Sequence, residues 1–312
     1  YIWIGTDNGL YRYDGSEFTL FSLDGDEDAT KYSINCIYLT SDEKLYVGTD
    51  NYGLYMYDNG TFQRVSEMYN LGVSTINAMY EDDNKNLWIA ASSGIFRLSS
   101  DGAEALADDV VSGLSVGNIS GHGDYVYAIA NNDILITVDP ERHVSITNKS
   151  EYRVDDINSL YVDENGNRYY GSAGYSILKI GTDGKNEIIN TGNLHGINKI
   201  YSDGDNIWAL ADDGVGYITS KGNVTAIGGL SFNESMSDMI IDFEGNYWFT
   251  SYRKGILQLE RSKFQNVTMK YGIDSSIVNC VTSYNGNTFI GTDEGLYIVD
   301  SNGKLVMSAD NE

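Results

Sequence analysis

Proline occurs once in 312 residues, cysteine twice and histidine three times, and basic side chains are outnumbered 45 to 20 by acidic ones. Each scarcity excludes something. Two cysteines cannot supply the framework of a small disulfide scaffold, and these two lie too far apart for a zinc ribbon. A formal charge of −25 sets most of the surface against a phosphate backbone, so nucleic acid is not an expected partner. No run of 18 apolar residues occurs, which leaves no candidate membrane-spanning helix; a membrane link would have to come through flanking segments. P-loop, G-x-S-x-G, H-E-x-x-H and dinucleotide patterns are all missing from fitting contexts, so neither a cofactor nor a catalytic set is expected.

Glycine and tyrosine are plentiful, at 34 and 25. Together with the near-absence of proline they suit many short aromatic strands joined by glycine turns, and argue against long helices. The stretch Tyr1 to Gly15, YIWIGTDNGLYRYDG, has the composition of a β-hairpin, with Asp7, Asn8 and Gly9 as its turn. The hairpin returns from Leu45, Leu87, Val126, Arg168, Ile207, Tyr247 and Thr288, eight copies in all. Its aromatic falls at Trp3, Tyr46, Trp88, Tyr127, Tyr169, Trp208, Trp248 and Phe289, at intervals of 39 to 43 residues. That period fits a four-stranded propeller blade or a two-helix repeat, and the strand chemistry selects the blade.

Ahead of every hairpin but the first lies an apolar run with a polar residue near its start: INCIYL from Ile34, INAMY from Ile76, Asn118 to Ser120, INSLYV from Ile157, INKIY from Ile197, Met239 to Ile241 and VNCV from Val278. Weaker runs follow the hairpins, so each repeat reads as strands a, b, c and d. The aromatic of strand b is read as a wedge between blades. The small residue two places on, at Gly5, Gly48, Ala90, Gly171 and Gly291, leaves room for the adjoining blade, and Ile129, Leu210 and Thr250 break that rule. Cys36 and Cys280 share one point of the repeat. Neighbouring inner strands seldom bring Cα atoms within the ~7 Å a bridge allows, so both are read as small buried apolar residues.

The succession of an Asn-bearing strand, D-x-x-G-N, L-W-I-G-T and G-L-x-x-Y-D resembles the two-component regulator propeller repeat. The match is clearest at Tyr1 to Asp14, Ile34 to Asp58, Ile76 to Arg97, Ile157 to Ile180 and Thr288 to Asp300. The resemblance implies an extracytoplasmic (periplasmic or cell-surface) sensor region of a membrane-anchored bacterial protein whose cytoplasmic part is a histidine kinase or diguanylate cyclase. It also implies an adjacent propeller and a dimer partner in that parent. The expected fold is all-β, a propeller of four-stranded blades, seven-bladed with an extra part-blade, the alternative being eight-bladed. Residues 1–263 would be the propeller, with its first repeat lacking the inner strand. Residues 264–312 would be an eighth repeat that begins a second propeller or closes the ring, and the chain reads as a piece of a longer protein.

Chemistry is sparse. His122, His143 and His195 fall in an a–b turn, a c–d turn and a d–a loop, so they do not converge on one another. The a–b turns, such as DENGN from Asp163, faintly resemble a calcium loop, but Asx-capped hairpin turns account for them better. Function is therefore expected at the mouth where b–c turns and d–a loops gather. There the Asn51-Tyr52 turn inserts a residue, and the Tyr252-Arg253-Lys254 turn gathers cations in an acidic chain. The strand-a residues Asn35, Asn77, Asn158 and Asn198 come to the same rim, where they either bind a ligand or cap their own d–a turns. A small molecule or glycan ligand of a non-enzymatic sensor is the leading reading; a propeller lyase or hydrolase and a protein-interaction scaffold are the alternatives.

Overall fold

The computed structural model describes residues 1–25, 27–106, 110–219, 222, 224–227, 234–259, 271, 273, 277–302 and 304–310. The fold is an all-β propeller type, with eight antiparallel sheets whose strands follow one another in chain order. The third sheet is representative, running Ile76–Glu81, Leu87–Ala91, Gly94–Ser99 and Gly102–Ala105 as strands a to d. Helical segments among the described residues are single turns, such as Val65–Met68 and Ala29–Lys31.

Internal contacts divide the chain into two units, Tyr1–Leu259 and Glu260–Glu312. The second holds one sheet, built from Val278–Tyr284, Asn287–Thr292, Gly295–Val299 and Leu305–Asp310. Seven sheets lie in the first unit. Its first sheet has strands b, c and d alone, Ile2–Thr6, Gly9–Tyr13 and Phe18–Phe21. Its seventh has a, b and c, Met236–Ile241, Tyr247–Ser251 and Gly255–Leu259. The weaker run that follows this hairpin, 264–268, lies outside the described residues. Within this unit the inner strands neighbour one another in succession from the second sheet to the seventh. The Tyr13 ring then lies 5.6 Å from Trp248, which brings the seventh sheet back against the first.

Local chemistry writes the hairpins. In the first b–c turn the Thr6 hydroxyl donates to the Gly9 carbonyl and accepts from the Asn8 amide, and Gly9 adopts φ +113°. In the third a–b turn one oxygen of the Asp82 carboxylate accepts from the backbone amides of Asn84 and Asn86, and the other accepts from the Trp88 indole at 2.8 Å. The same indole bond joins Trp208 to Asp203 and Trp248 to Asp242, both at 2.9 Å. These aspartates thus serve their own turns and fix the wedge aromatic, as the Asx-capped reading requires. Trp88, Trp208 and Trp248 are all buried.

Packing between sheets rests on two devices. The first is a knob in a gap: a Cβ added to Gly5 would come within 2.6 Å of Ile34, to Gly48 within 2.7 Å of Ile76, and to Gly171 within 2.7 Å of Ile197. In each case the isoleucine opens strand a of the next sheet. The second device is a bulge. Each inner strand slips register after its first residue, as between Ile34 and Cys36 or Ile76 and Ala78, which releases a backbone carbonyl from the ladder. A side chain of the preceding sheet takes it up. Asn35 donates to Ile76 O at 3.1 Å, Asn77 to Val116 O at 2.7 Å, Asn118 to Asn158 O at 2.9 Å, Ser159 to Ile197 O at 2.9 Å and Asn198 to Met236 O at 3.2 Å.

The structure corrects three sequence expectations. These asparagines do not cap their own d–a turns; they clamp the next sheet. Asn118 is not the counterpart of Asn35 either, because its strand begins at Val116, and the slip between Val116 and Asn118 puts Asn118 at the register of Cys36. Both cysteines are free thiols, Cys36 half-buried, whereas Cys280 is exposed and not buried as the sequence reading had it.

Candidate functional site

At the rim of sheets five to seven, polar side chains accumulate beyond what the clamps require. One oxygen of the Asp212 carboxylate accepts from Asn198 Nδ2 and from the Ser235 hydroxyl, both at 2.9 Å. Its other oxygen lies 3.9 Å from His195 Nδ1. The His195 ring stands edge-on to Tyr175 at 4.9 Å, and both residues are exposed. Next along the inner strand, Lys199 Nζ sits 3.3 Å from Asp238 Oδ1. The Asp238 charge raises the Lys199 ammonium above its ordinary value, with burial opposing. Because 41% of the lysine side chain is open to solvent, the pair is screened by water.

Tyr252 overlooks this pair. Its side chain is 71% exposed. Crowding around the hydroxyl and the negative charges of Asp238 and Asp212 push its ionisation up, so it stays a neutral donor. Lys254 is tied to Glu234 at 3.0 Å, whereas the exposed Arg253 engages through its backbone amide, which donates to the Ser251 hydroxyl. The arrangement offers an open aromatic face, an ammonium–carboxylate pair and several hydroxyl and amide groups within one rim, which is a set suited to a small hydroxylated ligand.

The residues singled out from sequence divide into three groups. Tyr252 and Arg253 lie at this rim. Asn51 is exposed in the left-handed region at φ +68°, its amide bonded to Thr75 of the next sheet's edge. Tyr52 is half-buried, packed edge-on to Tyr32 at 4.9 Å with its carbonyl accepting from Arg64, so it serves packing in sheet two. Asn35, Asn77 and Asn198 spend their amides on clamps, and Asn158 offers its side-chain oxygen to Asn132 at 3.2 Å. Sequence reading missed Lys199, Asp238, His195 and Tyr175. A signal was present for the first two: the residue after the strand-a polar position is Cys36, Ala78 or Ser159 elsewhere, and a charge there breaks the pattern. In the fourth c–d turn Asp139, Glu141 and His143 bring ligand atoms within 4.8 Å of one another, yet one Asp139 oxygen already accepts from the His143 backbone amide and the other lies 3.0 Å from the His143 ring.

The model of the family described as two component regulator propeller matches residues 70–93, spanning strands a and b of the third sheet. No curated protein matches the sequence. Among solved structures, the virginiamycin B lyase from Staphylococcus aureus superposes with a TM-score of 0.62 at 15% identity, covering 81% of this chain and 89% of that one. YCF48 bound to D1 peptide gives 0.64 at 14% identity, covering 82% and 88%. The extracellular domain of the hybrid two-component system BT3049 of B. thetaiotaomicron gives 0.45 at 18% identity, covering 99% of this chain and 44% of that one. Identities at this level speak to the fold alone.

Proposed function

From a chain of two-component regulator propeller repeats, we infer a non-enzymatic, ligand-sensing module of an extracytoplasmic signal-transduction protein, which reads a small hydroxylated molecule at the rim of sheets five to seven. The observation that carries the site is the coincidence of an exposed Tyr252 with the Lys199–Asp238 pair, at a rim where Asn198 is already committed to its clamp. A ring over which a sugar can stack, beside groups that donate and accept, contributes on the order of 1 to 3 kcal/mol per good contact. Sensing rather than turnover suits a rim whose asparagines and serines are already bonded to backbone and carboxylate.

Thermal-shift measurement of residues 1–312 against a set of neutral and acidic mono- and oligosaccharides tests this. A ligand that stabilises the wild type and fails to stabilise Tyr252→Ala, with the unliganded melting point unchanged, supports the rim. Stabilisation that survives Tyr252→Ala and Arg253→Ala together moves the site elsewhere, and turnover of any sugar in the set overturns the non-enzymatic reading.

A further inference from the structure

The groove between the third and fourth sheets differs from its counterparts. Between the first and second sheets, Trp3 packs against Tyr57 at 5.5 Å and Phe62 at 5.9 Å; between the sixth and seventh, Trp208 packs against Tyr247 at 5.3 Å. Beside Trp88 the corresponding space is a cavity of about 210 Å³, lined by Trp88, Arg97, Glu104, Ala105 and Arg142. A second cavity of about 190 Å³ shares Trp88, Arg97 and Arg142 and continues to Asn84, Asn86 and the carboxylates of Asp82, Asp124 and Asp139.

Its charge is also unusual for so acidic a protein. The guanidinia of Arg142 and Arg97 both turn to a single oxygen, Glu104 Oε1, at 2.8 and 3.5 Å. In the first cavity two cations thus face one carboxylate, and the other carboxylates of the groove gather in the second, at Asp82, Asp124 and Asp139. Arg97 Nε is buried without a hydrogen-bond partner. Arg12 and Arg168 share that feature, but Arg12 lies over the Tyr1 and Phe21 rings at 4.2 and 4.9 Å and Arg168 over Tyr127 at 5.0 Å. Arg97 instead borders open space. An orphaned buried donor beside a cavity is a place for an acceptor to come from outside.

We propose that this groove binds a small polyhydroxylated carboxylate, of the chemical class of a uronic or aldonic acid. The ligand carboxylate takes a forked pairing with Arg97 and Arg142, displacing Glu104 from Arg97 and supplying the missing acceptor. Its hydroxyls extend into the second cavity, where the Asp124 and Asp139 carboxylates offer acceptors while Asn84 and Asn86 are already bonded to Asp124 and Asp82. Because the ligand bridges sheets three and four, binding would couple to the contact between them. This site is separate from the rim of sheets five to seven.

The probe is D-galacturonate, titrated calorimetrically into residues 1–312, with D-galactose and acetate as the arms lacking the carboxylate and the hydroxyls. Galacturonate is expected to bind, and each of the other two to bind at least about tenfold more weakly. Arg142 lies at φ +69°, so Arg142→Asn keeps a residue that tolerates this backbone. That variant should lose at least about tenfold in affinity at an unchanged melting point. Glu104→Gln, which frees both guanidinia, should gain affinity, and Tyr252→Ala should leave it alone. Absence of galacturonate binding, equal binding of galactose, or equal affinity in Arg142→Asn would each overturn the proposal. Loss through Tyr252→Ala would assign the ligand to the rim.

Discussion

The side-chain amide of Asn77 donates to the backbone carbonyl of Val116, 39 residues on and in the next sheet, at 2.7 Å. Val116 is buried and its carbonyl is released from the ladder by the bulge that follows it, so no solvent stands ready to replace the donor. Asn77→Ala should therefore cost about 1 to 3 kcal/mol, the penalty of an unsatisfied buried acceptor. Urea unfolding of the variant measures it. A loss no greater than that of an exposed asparagine such as Asn59 would show the clamp to be energetically idle.

Trp88 separates two contributions. Trp88→Phe removes the indole donor from Asp82, which is itself buried, while keeping much of the ring, and should cost about 1 to 2 kcal/mol. Trp88→Ala also empties the wedge and should cost about 3 to 5 kcal/mol. Comparable losses in the two variants would mean that the bond, and not the packing, sets the stability.

Gly171→Ala tests the knob in the gap. The added Cβ would lie 2.3 Å from Ser159 Oγ and 2.7 Å from Ile197, whose side chain is fully buried and has nowhere to retreat. A cost of about 1 to 3 kcal/mol is expected. The control is Gly102→Ala, where space is open and the penalty comes from φ +127° alone.

The two thiols should differ sharply in reactivity. Burial pushes the Cys36 thiol up to about 12, so it carries almost no thiolate at pH 8, whereas Cys280 is exposed. A colorimetric thiol reagent should titrate one equivalent quickly in the native protein and the second only after unfolding. Rapid reaction of both would contradict the packing of the second sheet.

Acid should loosen the wedges. Burial works against ionised Asp203 and Asp242, yet the indole and amide donors prevail and hold both carboxyls below their ordinary value. A depressed folded value means the contribution is complete above the unfolded carboxylate range, near pH ~4, and is lost as pH falls through the folded value. Tryptophan fluorescence should report the change below pH ~4, and Asp242→Asn should flatten that part of the profile.

The period, the wedge aromatics and the turn chemistry were legible in the sequence because each depends on neighbours a few residues away. Trp88 and Asp82 are six residues apart and belong to one hairpin. What was illegible depends on register between sheets. Asn35 and Asn118 look alike as letters, but one bond runs from the bulge residue and the other from the residue after it, and a slip of one position decides which. The Arg97 and Arg142 pairing with Glu104 joins two sheets across 38 residues, with no periodic mark at either end. Tyr52 shows the opposite error, since an inserted aromatic at a turn looked free and instead fills the space beside Tyr32.

The turn aspartates carry one more consequence. Asp82, Asp203 and Asp242 are held by amide and indole donors of their own hairpins, and among the described residues none of the three forms an ion pair with lysine or arginine. Their contribution to the fold therefore owes little to the surrounding ionic atmosphere, whereas the repulsion among a surplus of 25 negative charges is felt through it and fades beyond a Debye length of about 10 Å at 0.1 M salt. Salt removes the penalty and spares the bonds. A propeller so constructed is poised to be firmer in brine than in dilute buffer, a halotolerance that follows from where its hairpins find their hydrogen-bond donors.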